Sequence, residues 1–132
     1  MYKRLEVGGK EYHLRIRAKH TEELNKWLKK SYRDAVIDIF EDPTTNVVPF
    51  IWAACQPGPD QKPFTREDAH DLFDQLVDEG FDDWEDLVIE ICRASGFFRT
   101  AVADGMQATV KTIQQNMEKS MDKLTKGQAQ KT

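Results

Sequence analysis

Residues 47–55 read VVPFIWAAC, an unbroken apolar run bounded by the breakers EDPTTN and QPGPDQKP. A helix that is apolar on every side must be covered on every side. The rest of the chain therefore has to wrap around this segment, which is predicted to be the central buried helix. Thr45 or Asn46 is the expected N-cap, which would leave Pro49 in about the first turn, where amide hydrogens have no helical acceptor. QPGPDQKP, residues 56–63, holds three of the five prolines and is the clearest loop.

The material available for wrapping is modest. Leu, Ile, Val and Phe number 30 of 132 residues, just above the share of roughly 20% below which chains stay disordered. One small core is the ceiling at this length.

At the N-terminal end, residues 2–7 and 11–17 flank Gly8-Gly9-Lys10, and Gly-Gly supplies the positive φ of a tight hairpin turn. Tyr12, Leu14 and Ile16 alternate with His13, Arg15 and Arg17, so one face is expected to be apolar and the other basic. A two-stranded ribbon is marginal alone, so its apolar face must pack on helices or join another sheet.

Thr21 is read as the N-cap of a first helix bearing Leu24, Trp27 and Leu28 and ending near Lys30, and 34–40 as a short amphipathic segment. Thr65 heads a helix with the stripe Ala69, Leu72, Phe73, Leu76 and Val77, closed by Gly80. Asp82 or Asp83 starts another, with Trp84, Leu87, Val88, Ile91 and Cys92 inward before Gly96 and Phe97-Phe98. Beyond it, Val102, Met106, Val110, Ile113, Met117, Met121 and Leu124 recur in steps of three and four, a narrow stripe on one helix. Such a stripe either packs on the chain's own core or docks on another chain, and Met-lined surfaces adapt to irregular partners.

The expected fold is thus mainly α with a short N-terminal β-hairpin (α+β). Residues 1–98 form the hairpin and helical domain, and 99–132 a long C-terminal amphipathic helix with a frayed tail.

Charge is sorted along the chain: residues 1–33 carry +6, 34–92 carry −14 and 93–132 carry +4. Complementary ends of this kind can steer association, more weakly as salt rises. The expected self-association contacts are Arg15, Arg17 and Lys29 on one copy with Asp74, Asp78 and Asp82 on the next. The basic hairpin face (Arg15, Arg17, Lys19, with Lys3 or Arg4) together with Lys26, Lys29, Lys30 and Arg33 could touch nucleic acid, but the sixteen acids that follow directly oppose phosphate.

Catalytic chemistry is hard to find. Glu67-x-x-His70 has the spacing of carboxylate-bridged metal bundles but no second copy. A calcium loop with Gly80 at its sixth position would put Gln75 and Val77 at ligand positions one and three, so that pattern fails. There is no nucleophile elbow and no phosphate-binding Gly-Lys-Ser/Thr motif. Cys55 and Cys92 lie in apolar runs and read as core thiols. The expectation is a protein that is no enzyme and needs no cofactor or metal. With no apolar span of membrane length and no apolar segment of a secretory signal at the start, it is read as cytosolic.

The order VGGKEYHLRIR, a first helix, FIWAACQ, TREDAHDLFDQLVDEG (65–80) and WEDLVIEICRASGFF resembles the tail assembly chaperones of long non-contractile-tailed bacteriophages and prophages of Gram-positive bacteria. The resemblance covers about residues 2–98. It implies a mostly helical protein that keeps the very long tape measure protein soluble while tail tube subunits polymerise around it. Such a protein acts in the cytoplasm of the bacterial host and is absent from the finished tail. It further implies a longer product, made by ribosomal frameshifting, whose added domain recruits tail tube protein. The apolar residues expected to meet the client are Trp52, Phe97, Met106, Val110, Ile113, Met117 and Met121. The competing expectation is a small nucleic-acid-binding protein or a host-directed regulatory adaptor.

Overall fold

Strand β1 (Lys3–Val7) turns back through Gly8 and Gly9 into β2 (Lys10–Leu14), with Leu5 opposite Tyr12 and Val7 opposite Lys10. Both turn glycines have positive φ, 58° and 78°, as a two-residue hairpin turn with the strand's own twist requires. The computed structural model describes residues 2–58, 60–96 and 107–119. Among the described residues the hairpin is followed by a 3-10 turn (Ala18–His20) and then by α1 (Thr21–Leu28), α2 (Tyr32–Asp38), α3 (Pro43–Ala54), α4 (Arg66–Asp78) and α5 (Trp84–Ala94). Residues 107–119 form a further helix, α6. The mainly helical α+β architecture is as the sequence predicts.

Helix α3 is the centre. It packs against α1, α2, α4, α5 and β2, and Val47, Val48, Phe50, Ile51, Ala53 and Ala54 are all buried. Its start differs from expectation. Asp42, not Thr45 or Asn46, is the N-cap, accepting from the Thr45 amide at 3.1 Å, and Pro43 takes the first helical position. Pro49 consequently lies beyond the first turn and supplies no amide hydrogen to the Thr45 carbonyl.

The helix ends are written in local chemistry. Thr65 and Asp68 form a reciprocal capping box at α4, with bonds of 3.0 and 2.9 Å. At the other end of α4, Gly80 donates to the Val77 carbonyl and Phe81 to that of Leu76, a Schellman close around a glycine at φ 84°. Ala69, Leu72, Phe73 and Leu76 are buried there, but Val77 is 49% exposed: one residue past Leu76, it has rotated off the inward face. Ser31 caps α2, which therefore begins at Tyr32 rather than Asp34. Helix α1 ends early because Lys29 adopts a left-handed conformation after Leu28. Thr21 donates to the Ala18 carbonyl at 2.6 Å and is the first helical residue, with His20 at the cap position.

Segment 15–16 ties the hairpin to the helices. Arg15 donates its amide to the Ala54 carbonyl at 3.1 Å and Ile16 donates to Ser95 Oγ at 3.0 Å. These tertiary bonds end β2 at Leu14, three residues before the expected limit. The hairpin turn is anchored separately, by the Gly8 amide on Glu79 Oε1 at 2.9 Å. Leu5, Val7, Tyr12 and Leu14 face the core. Within the strands the opposite face is mixed in charge, since Arg4 is bonded to Glu11 at 2.7 Å, His13 meets the same carboxylate at 3.1 Å and Glu6 stands across from Glu11, while the expected Arg15 and Arg17 are exposed beyond the end of β2.

Candidate functional site

Helix α6 carries the centre of the expected client stripe. Arg93 on α5 donates to the Gln107 side-chain oxygen at 2.8 Å, fixing the start of α6 against the domain. Val110, one turn further on, is 4% exposed and belongs to the core. Its expected role as a contact for another chain is thus not one it can fill while α6 is seated, because its side chain is already covered. Ile113 is half-buried and Met117 is 52% exposed. Over the described residues the stripe therefore runs from the core at Val110 out into solvent at Met117. Phe97, Met106 and Met121 lie outside the described residues.

Trp52, the one half-buried residue between Ile51 and Ala54, is the member of α3 that reaches towards the surface. Its ring meets the edge of Trp27 at 5.9 Å and of His20 at 6.1 Å. The Arg66 guanidinium sits 4.5 Å from the Trp27 ring centre, and His70 lies 6.3 Å from the same ring. Gln56 Nε2 donates to the carbonyls of Trp52 and Phe64, both at 2.8 Å, which holds the 56–63 loop beside the cluster. Trp52 is thus half committed to packing. What it presents outward is an aromatic surface rimmed by cations. Burial, followed by the nearby charges of Lys19 and Arg17, lowers the pKa of His20, whose Nδ1 is buried without a partner among the described residues.

The six residues assigned to self-association, Arg15, Arg17, Lys29, Asp74, Asp78 and Asp82, are all exposed. None forms an ion pair among the described residues. Arg15 and Arg17 line a shallow recess with Ala54, Gln56 and the stacked rings of Tyr2 and His13, whose centres are 4.0 Å apart. The acidic N-terminal end of α5 is crowded: burial, and then repulsion from Asp83, Asp86 and Asp82, pushes up the pKa of Glu85.

A feature that sequence reasoning missed is a cleft of about 410 Å³ between β1 and α5, lined by Leu5, Phe81 and Leu87 and walled by Asp83, Asp86 and Glu90. The signal available in the sequence was the two-stranded sheet itself, which among the described residues leaves one edge of β1 without a neighbouring strand.

Cys55 and Cys92 are unpaired, and burial pushes both thiols up to about 12. Among the described residues no cluster of His, Cys, Asp and Glu is placed to hold a metal ion, and no helix is long and apolar enough to cross a membrane. Comparison with protein families, curated proteins and solved structures finds no match for this chain.

Proposed function

We propose that this chain is a phage tail assembly chaperone that binds the tape measure protein and keeps it soluble while the tail tube forms, in the cytoplasm of the bacterial host. The observation that carries the reading is the course of the α6 stripe, from buried Val110 through half-buried Ile113 to exposed Met117. An amphipathic client helix can continue the chain's own helical packing along that stripe, with a flexible thioether adapting to different client side chains. The exposed Arg15, Arg17 and Lys29 on one copy, with Asp74, Asp78 and Asp82 on the next, none in an ion pair among the described residues, supply a charge-steered way to line many copies along one client. A frameshifted longer product would bring tail tube protein to the same assembly.

The test is co-expression with a tape measure protein. Co-purification, with the client precipitating when expressed alone, is the expected result; a client equally soluble alone and never co-purifying would remove the reading. The recess of Arg15, Arg17, Tyr2 and His13 favours a second reading, a small nucleic-acid-binding protein, since cations beside stacked rings suit a single strand. That protein would bind an oligonucleotide with an affinity that falls steeply with salt and depends on both arginines.

A further inference from the structure

The cleft beside β1 runs along a strand edge and combines an apolar floor with charged walls. A two-residue turn makes Val7 and Lys10 a hydrogen-bonded pair, and alternation then makes Leu5 with Tyr12 and Lys3 with Leu14 bonded pairs too. Arg4 and Glu6 fall at the positions between, so their amides and carbonyls point away from β2, along the outer edge that faces the cleft. An unpaired edge of this kind is a template for another strand.

The surroundings define which strand fits. Helix α5 runs against β1: its start follows Glu79, which binds the Gly8 turn, and its end holds Ser95, which binds Ile16. Asp83 and Asp86 therefore lie towards the Val7 end, and Glu90 towards the Lys3 end. Glu90 has Arg93 at 3.9 Å, whereas Asp83 and Asp86 have no ion-pair partner among the described residues. An incoming antiparallel strand is matched by a base opposite Glu6, an acid opposite Arg4 that shares its guanidinium with Glu11 at 2.7 Å, an apolar side chain over Leu5, Phe81 and Leu87, and a cation near Asp83 and Asp86.

The sequence Lys3-Arg4-Leu5-Glu6-Val7 meets every one of these demands when it is laid antiparallel on itself with Leu5 opposite Leu5. Arg4 of each copy then faces Glu6 of the other as a hydrogen-bonded pair, and Lys3 of the second copy lies at the Val7 end beside Asp83 and Asp86. Protective edge strands usually carry like charges that repel on self-pairing. Here the signs alternate, so self-pairing matches opposites, the favourable arrangement for facing residues.

We propose that two copies of this chain join through the outer edges of β1, as an antiparallel pair centred on Leu5, to make one continuous four-stranded sheet. The contact is isologous and closes at two. It differs from the open-ended charge contact suggested above and does not depend on the chaperone reading.

The test is the mass of the full chain by sedimentation across a wide concentration range, at about 0.5 M salt so that contacts between distant surface charges are screened. The wild type should pass from monomer to dimer and stop there. Glu6→Pro should be monomeric with an unchanged circular dichroism spectrum, because its ring removes an outward amide hydrogen and leaves the bonds of Leu5 and Val7 to β2 intact. Arg4→Glu and Glu6→Arg should each weaken the dimer about tenfold by placing like charges opposite one another, and a mixture of the two should restore it as a heterodimer. The mixture decides the matter should Glu6→Pro fail to fold. A wild type that stays monomeric, a dimer indifferent to the folded proline variant, or a mixture no better than either variant alone would overturn the proposal.

Discussion

The Ile16 amide donates to the Ser95 hydroxyl at 3.0 Å, and that hydroxyl donates to the Ile91 carbonyl at 2.6 Å. One serine, 2% exposed, thus ties the end of α5 to the segment that follows the hairpin. Ser95→Ala leaves the Ile16 amide buried without a partner, for an expected loss of about 1–3 kcal/mol. Urea unfolding measures it. A variant within about 0.5 kcal/mol of wild type, the range of ordinary surface changes, would mean that the amide finds another acceptor.

Gly8 is constrained twice. Its φ is 58°, and a Cβ built there would collide with the side-chain amide of Gln75 on α4. Gly8→Ala should therefore cost about 1–2 kcal/mol from the left-handed backbone alone, with a further part from moving Gln75. Adding Gln75→Ala should recover only the second part. Full recovery in the double variant would show that the backbone conformation at Gly8 carries no penalty.

These two positions show where sequence legibility ends. The capping box at Thr65 and the glycine close at Gly80 are readable because a cap needs only residues within a few positions of it. The apolar run of α3 gave away the centre of the core because no surface helix can be apolar all round. The end of β2 was not readable: it depends on acceptors at Ala54 and Ser95, some 40 and 79 residues from their donors. The start of α3 was missed because Asp42 and Pro43 sit within a breaker-rich stretch in which three residues compete as caps. As for the candidate site, periodicity located the α6 stripe but could not tell the buried Val110 from the exposed Met117, since both recur at the same helical spacing. The β1 cleft is an arrangement of residues nearly 80 positions apart and leaves no local pattern.

His20 gives the fold a dependence on pH. Burial against Trp52, then Lys19 and Arg17, lowers its pKa in the folded chain below the ordinary 6.5. The unfolded chain thus binds the proton more readily, so stability rises with pH across the interval between the two values. The contribution is fully present above about 6.5 and is lost as pH falls through the lower, folded value. Denaturant midpoints taken from pH 8 down to pH 5 should fall for wild type, and His20→Gln should show a smaller fall. Parallel curves for the two proteins would place the dependence elsewhere.

Val110 and Met117 separate packing from recognition on a single helix. Val110→Ala removes buried methyl groups from the core, an expected loss of about 2 kcal/mol, seen as earlier amide exchange in α6 and α5. Met117→Asp alters a side chain that is 52% exposed and should leave the unfolding midpoint near that of wild type. If the α6 stripe is the client surface, Met117→Asp should nevertheless abolish rescue of a tape measure protein in co-expression, and Ile113→Asp should weaken it further at some cost to the fold. Undiminished rescue by a fully folded Met117→Asp would detach client binding from α6 and direct attention to the Trp52 cluster, where Trp52→Ala is the corresponding variant.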